Sequence, residues 1–196
     1  TIFQYLKQFE KKLKVRQDQG AHWSNLRSCA YLDEFKKKKI VWGNLTVHFQ
    51  FALANENFYV NAPSPFITPG DKYLLAVLNS TLGDWYIRQL GVTRNAGYFE
   101  YKPMFVEKLP VIRPDEIIRK IIEICVDYIL FLNKNDFEYQ NKILISSFFD
   151  QLIDGMVFEL YFEDEIKKAG RDILKHLTHL TPITDDMSNE QKMQVI

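Results

Sequence analysis

The stretch from residue 40 to residue 110 constrains the fold most, because the spacing of its apolar residues changes from that of strands to that of a helix. The β-branched and aromatic run IVW at residues 40–42 predicts a buried strand. Apolar and polar residues alternate over residues 47–51, as they do in a half-buried strand. The polar triplet NEN at residues 55–57 predicts a hairpin connection into a further strand at residues 58–60. A small sheet is therefore expected here.

An amphipathic helix is predicted to follow the sheet. Asp71 is placed to cap its first turn, since a carboxylate there accepts unpaired backbone amides. Gly91 is predicted to end the helix in the left-handed conformation. Apolar residues between them recur every three or four positions and form one wide face: Leu74, Leu75, Leu78, Leu82, Trp85, Tyr86 and Leu90. Residues 92–101, which hold one arginine and two tyrosines, are predicted to form a loop.

Helices dominate the predictions for the two ends of the chain. Apolar spacing predicts an opening helix to about residue 16. Pro110 and Pro114 mark a boundary, beyond which the apolar residues again repeat at helical spacing. At least three helices are predicted there, at residues 115–132, 136–162 and 165–180. The sequence as a whole therefore predicts an α+β fold with a mixed sheet and a C-terminal helical layer.

The net charge of zero conceals a basic part and an acidic part. Residues 1–113 hold 16 Lys and Arg against 9 Asp and Glu, whereas residues 114–196 hold 9 against 16. A basic, aromatic-bearing domain suits a polyanion, because cations placed near phosphates release condensed counterions. The alternative is that the two parts neutralise each other across a shared interface.

Composition also limits the compartment. Two cysteines, Cys29 and Cys125, are too few for a disulfide scaffold, so a reducing cytoplasm is expected. We find no signal segment, and no apolar run reaches the roughly 18 residues of a membrane span, so no membrane partner is expected. Because the sequence opens at Thr1 on a helix already in progress, we expect a fragment of a longer protein.

Several blocks of this sequence, in one order, resemble the TaqI-like C-terminal specificity domain of type II restriction–modification enzymes. The matching blocks are KIVW at residues 39–42, FAL at 51–53, FYVN at 58–61, LLAVLNS at 74–80 and LP at 109–110. Residues 152–162, LIDGMVFELYF, also look like the helix that trails this domain in such methyltransferases. Asn79 and Ser80 are the most specific matches, and we expect them to bond to backbone or to cap a neighbouring element.

The resemblance implies a DNA target-recognition domain over residues 1–113, a helical region over residues 114–182 and a polar tail over residues 183–196. Its partners would be double-stranded DNA and the methyltransferase or nuclease domains of the same parent chain. The parent would be a type II restriction enzyme or site-specific adenine-N6 methyltransferase that uses S-adenosylmethionine, and Mg²⁺ if it cleaves. The rival interpretation is a helical protein-interaction module without DNA binding, and a third is a nuclease fragment that depends on Glu165.

Candidate DNA contacts follow from side-chain chemistry. Arg bonds twice to a guanine edge and Asn twice to adenine, which makes Arg94 and Asn95 the predicted base readers. Tyr98 could stack, or fill the space that a flipped base leaves. Phosphate contacts are predicted from the cations of the basic part: Arg27, Lys36, Lys37, Lys38, Lys39 and Lys102. The lysine run could equally be a solvated face.

Catalytic signatures are weak in this sequence. Residues 61–66, NAPSPF, echo the tetrad of N6-adenine methyltransferases but interrupt it, so we interpret them as a turn. No glycine-rich nucleotide fingerprint is present, which predicts no cofactor in this chain. Asp115 and the segment 165–167 match a nuclease centre only by residue type, and the pair His176 and His179 is typical of a solvated helix end. We predict no catalytic centre and no metal site.

Overall fold

The computed structural model describes residues 1–134 and 141–196 and divides the chain into two compact units, Thr1–Lys36 and Lys37–Ile196. The first unit contains α1 (Ile2–Lys7), α2 (Glu10–Lys14) and a 3-10 helix (Leu32–Lys36). The single opening helix predicted to about residue 16 is therefore two short helices. A capping box between Thr1 and Gln4 starts the first of them.

The second unit contains two small antiparallel sheets. Their strands are β1 (Lys39–Trp42), β2 (Leu45–Thr46), β3 (Phe51–Ala54), β4 (Phe66–Ile67) and β5 (Phe99–Glu100). The first sheet has the order β3-β1-β4, and the second pairs β2 with β5. Ile40 lies in the central strand β1 and is fully buried, as the apolar run predicted.

Two strand predictions were wrong. The strand expected at residues 47–51 begins only at Phe51, because β1 pairs with residues 51–54. The hairpin into residues 58–60 does not form: Phe58 and Tyr59 are exposed, and the next strand is β4. Instead, β3 and β4 flank β1. The sheet therefore forms by pairing β1 with strands that do not directly follow it in the sequence.

Helices form the larger part of the second unit. They are α3 (Lys72–Asn79), α4 (Thr81–Leu90), α5 (Pro103–Val106), α6 (Glu116–Lys134), α7 (Lys142–Tyr161), α8 (Glu163–Lys168) and α9 (Asn189–Val195). Asp71 caps α3 as predicted, since its Oδ1 accepts the amide of Leu74 at 2.7 Å. The predicted long helix is in fact α3 followed by α4, which separate at Ser80. The predicted α+β class with a helical C-terminal part is confirmed, but the described strands pair antiparallel and do not form the mixed sheet predicted.

Two glycines account for further corrections. Gly91 ends α4 in an extended conformation, not a left-handed one; a Cβ there would lie 2.9 Å from the carbonyl of Glu100. The helix predicted at residues 165–180 is the short α8, and Gly170, with φ of 65°, follows its end. A short 3-10 helix, Leu174–His176, lies beyond. The start of the helix predicted from residue 136 lies outside the described residues.

The helical layer shares one core with the sheet and α3. Buried residues from β1, α3, α6 and α7 form this core, among them Ile40, Leu78, Ile122, Met156 and Val157. The domain boundary predicted between residues 113 and 114 stays a prediction, although α6 packs directly against α3. Among the described residues, no helix is long and apolar enough to cross a membrane.

Two carboxylates of α7 tie the C-terminal segments to this core. Asp154 of α7 accepts both the amide of Thr81, at 2.7 Å, and its hydroxyl, at 2.5 Å, and so caps α4. Glu159 is buried and accepts the amides of Ile173 and Leu174 at 2.7 and 3.0 Å. These contacts fix α7 against α4 and hold the irregular segment after α8 in place.

The two thiols should differ sharply in reactivity. Cys29 is exposed, whereas Cys125 is fully buried in α6, where burial raises its pKa to about 12. Because the thiolate is the reactive form, we expect a neutral thiol reagent to label Cys29 quickly and Cys125 only after denaturation. Mass spectrometry of the labelled peptides would check this, and fast labelling of Cys125 in the native protein would contradict the packing of α6.

Candidate nucleic-acid interface

Residues 92–100 form a short β-hairpin where the sequence predicted a loop. The amide of Glu100 donates to the carbonyl of Val92 at 3.3 Å, and the amide of Arg94 donates to the carbonyl of Tyr98 at 2.7 Å. An antiparallel bridge joins Thr93 to Phe99. Asn95–Gly97 form the tight turn at its tip. We call this element the 92–100 hairpin.

The base of the 92–100 hairpin is anchored in the core. Its strand β5 pairs with β2. The next residue, Tyr101, is fully buried; its carbonyl accepts the indole N–H of Trp42 at 2.6 Å, and its hydroxyl donates to Asp84 at 2.5 Å. Burial, followed by the neighbouring Asp84, raises the pKa of Tyr101 above its usual value, so the phenol stays protonated. The hairpin thus projects from a fixed support.

The tip of the hairpin depends on two left-handed residues. Ala96 has φ of 60° and Gly97 has φ of 79°. A residue with a Cβ in this region carries roughly 1–2 kcal/mol of steric strain, which glycine does not. The turn therefore uses one favourable residue and one strained residue.

Substitutions at Gly97 and at Ala96 should have different effects on the free energy of unfolding. Gly97→Ala should lower the free energy of unfolding by about 1 kcal/mol, because it adds the same strain that Ala96 already carries. Ala96→Gly should leave it unchanged or raise it by up to about 1 kcal/mol, because released strain opposes the greater freedom of the unfolded chain. Urea denaturation of both variants would measure this. Equal destabilisation by the two changes would contradict the turn geometry.

The three predicted base readers lie together at this tip. Arg94, Asn95 and Tyr98 line one open depression of about 480 Å³, with Leu45 and Thr93 beside them. Asn95 is exposed, and Tyr98 is 41% exposed. Among the described residues, no hydrogen bond involves the Asn95 side chain, which leaves its amide available to a ligand.

A carboxylate that the sequence analysis missed organises the charges of the hairpin. Glu100 has a side chain only 8% exposed, and it forms ion pairs with Arg94 and Lys102. Hydrogen bonds from Lys102 and Arg94 hold the pKa of this carboxyl below its usual range, so it is ionised at neutral pH. The alternation of charges at residues 100 and 102 on one face of an extended segment was the available signal.

The remaining predicted phosphate contacts fall in both units. Lys37 is exposed and Lys38 is half-buried at the start of the second unit. Lys36 and Arg27 belong to the first unit and are exposed; Lys36 pairs with Asp33 at 2.7 Å and Arg27 with Asp18 at 3.4 Å. Exposed pairs of this kind contribute little to stability, so these cations remain able to exchange partners.

Lys39 is a correction to the predicted phosphate contacts. Its side chain is fully buried beside the core, and its ammonium donates to the carbonyl of Asn55 at 2.8 Å. The pairing of Lys39 with Ala54 in the sheet fixes this orientation. A buried ammonium already bonded to backbone does not reach a phosphate outside, so we remove Lys39 from the candidate contacts.

Arg88 has a packing role. It pairs with Asp84 at 2.7 Å and donates to the carbonyl of Val47 at 3.1 Å. Its guanidinium lies 4.1 Å from the ring centre of Phe99. It therefore packs against Phe99 and supports β5 at the base of the 92–100 hairpin.

The segments considered for catalysis have structural partners. The amide of Ser64 donates to the carbonyl of Asn61, which confirms the predicted turn in NAPSPF. Asp115 accepts the amide of Ile118 at 2.8 Å and caps α6. Within residues 1–134 and 141–196, no three His, Cys, Asp or Glu side chains are grouped to hold a metal ion.

A comparison with known families identifies the chain. The model of the TaqI-like C-terminal specificity domain matches residues 3–111, which is more than half of the sequence. The chain therefore belongs to this family, whose members are specificity domains of restriction–modification methyltransferases. A search of curated proteins finds no match. The family match covers the first unit, the sheets, α3, α4 and the 92–100 hairpin, which confirms the resemblance seen in the sequence.

Proposed function

We propose that this chain reads the sequence of double-stranded DNA and positions it for an adenine-N6 methyltransferase domain, with or without a nuclease domain, of the same parent enzyme. The observation that carries the proposal is the anchored 92–100 hairpin, whose tip gathers Arg94, Asn95 and Tyr98 in one depression. Membership of the specificity-domain family supports it.

The geometry of the hairpin suits a DNA groove. The major groove admits a two-stranded β-ribbon, and its base edges carry a donor and acceptor pattern that differs for every base pair. Arg94 would bond to guanine and Asn95 to adenine, while Tyr98 would stack or fill the space of a flipped base. Lys102, next to the hairpin, and the exposed Lys36 and Lys37 with the half-buried Lys38 would contact phosphates and fix the register.

Methyl transfer itself is assigned to another part of the parent enzyme. The interrupted NAPSPF segment forms a turn bonded to its own backbone and does not form the tetrad that holds a target adenine. S-adenosylmethionine, and Mg²⁺ where the parent enzyme cleaves, would be bound by that other part. The contribution of this chain is to choose the site, in a cytoplasmic enzyme.

Selection from a random duplex library tests this function. Several rounds of capture on the immobilised chain, followed by sequencing, should enrich one short motif. The same selection on denatured, immobilised chain is the control for non-specific binding of DNA. Enrichment of no motif by the folded chain would contradict a reader of sequence.

Lysine substitutions should separate phosphate contacts from buried lysines. Lys102→Ala should reduce the slope of log K against log salt concentration by about 1, the change expected when one phosphate contact is lost. Lys39→Met is the matched control, because its ammonium is buried and its slope should equal that of the wild type. Anisotropy titrations on one duplex across salt concentrations would measure both. A smaller slope for Lys39→Met than for Lys102→Ala would contradict the assignment.

A further inference from the structure

We propose that Glu100 is a positioning residue for recognition of guanine: it holds the Nε–Nη2 edge of Arg94 and leaves the Nη1–Nη2 edge to bond a guanine in the target DNA. The inference rests on the proposed function and deepens it. It predicts that the base read by Arg94 is a guanine. It also gives a role to a carboxylate that would touch no DNA.

The carboxylate of Glu100 is held on both sides. Its Oε1 accepts Arg94 Nε at 2.6 Å and also contacts Nη2 of the same guanidinium. Its Oε2 accepts Lys102 Nζ at 2.8 Å. Because β5 is paired with β2 opposite Leu45, the backbone of Glu100 is fixed as well. The carboxylate therefore presents Arg94 in one orientation.

The chemistry of guanidinium decides which edge remains. The group is planar and carries five N–H donors in a rigid fork. Glu100 occupies the edge formed by Nε and Nη2, which leaves two parallel donors, one each on Nη1 and Nη2. Among the described residues, Nη1 of Arg94 has no partner, and the side chain is 53% exposed at the rim of the depression. Two parallel donors match O6 and N7 of guanine in the major groove.

The ionised carboxylate also lowers the cost of recognition. A free arginine loses much rotamer freedom when it binds, about 0.5–1.5 kcal/mol for one long side chain. Arg94 has already lost part of that freedom in its pair with Glu100. The cluster of Arg94, Glu100 and Lys102 keeps one net positive charge, so the carboxylate does not make this surface repel DNA.

Glu100→Gln tests the proposal because glutamine has the same shape but no charge. The motif enriched by the wild-type chain should contain one guanine whose replacement weakens binding. Glu100→Gln should reduce the preference for guanine at that position by about three- to tenfold, the effect expected when one side chain must be newly ordered. Preferences at the other positions should change less than twofold. Competition titrations with single-base variants of the selected duplex would measure these ratios.

Two comparisons show whether Glu100 acts through Arg94. In an Arg94→Ala background, Glu100→Gln should cause no further loss of preference at that guanine. Glu107→Gln is the matched control, since it is the same substitution on an exposed glutamate outside the hairpin, and it should leave every preference unchanged. Thermal unfolding of each variant confirms that the folded chain is compared.

Three results would overturn the proposal in different ways. A Glu100→Gln variant with the wild-type preference for guanine would show that the carboxylate positions nothing. An equal loss at every position, or a further loss in the Arg94→Ala background, would show that Glu100 only supports the fold. A wild-type chain that enriches no motif would refute the proposed function, and this inference would fall with it.

Discussion

Replacing Asn79 with leucine should lower the free energy of unfolding by about 2–4 kcal/mol, because it leaves two partly buried backbone groups without protein partners. The Asn79 side chain accepts the amide of Phe51 at 3.0 Å and donates to its carbonyl at 2.9 Å. It thereby joins the end of α3 to the first residue of β3. Leucine has the same branched skeleton but makes neither bond.

Controls for this prediction come from the same family motif. Asn79→Asp keeps the acceptor for the Phe51 amide but sets a carboxylate oxygen against the carbonyls of Phe51 and Leu75, so we expect a loss of similar size. Ser80→Ala should cost about 1 kcal/mol, since the Ser80 hydroxyl accepts the amide of Gly83 at 3.0 Å and caps α4. Urea denaturation would rank the three variants. A loss below about 0.5 kcal/mol for Asn79→Leu would contradict the account, because such a value is typical of surface substitutions.

Replacing Arg94 with alanine should remove most of the sequence preference of the chain at one position. A bidentate arginine–guanine contact discriminates against the wrong base by about 1–3 kcal/mol, or roughly 5- to 150-fold. Affinity for random duplex should fall far less, because only one charge is lost from a basic surface. Competition between the selected duplex and its single-base variants would measure the ratio.

Arg113→Ala is the matched control for that experiment. Arg113 is exposed, lies outside the 92–100 hairpin, and carries the same charge. Its replacement should weaken binding to all duplexes slightly and equally. If both variants lost the same preference, the effect would come from net charge, and the assignment of Arg94 as a base reader would be wrong.

Local patterns predicted the class of the fold and the structural part of the family motif. The β-branched run of β1 and the carboxylate of Asp71 act within a few residues, so their effects could be predicted without the tertiary structure. Asn79 and Ser80 were expected to bond to backbone or cap a neighbour, and both do. The break between α3 and α4 was missed because the apolar face continues across Ser80 with no change of period.

Pairing between distant residues accounts for most of what the sequence did not predict. The 92–100 hairpin has strands of two or three residues, which carry too little periodicity to detect, and its support comes from pairing with β2. Lys39 looked like part of a solvated run, but pairing with β3 turns it inward. The role of Glu100 required knowing that it faces Arg94, six residues away across the hairpin.

Binding of this chain to duplex DNA at two salt concentrations tests the central claim most directly. Fluorescence anisotropy with a labelled random duplex would be measured at about 50 and 200 mM salt. Affinity that depends on phosphate contacts falls steeply over this range. We predict binding at the lower concentration that weakens at least tenfold at the higher one. Absence of binding at both, by a folded chain, would contradict the account and favour the helical protein-interaction module.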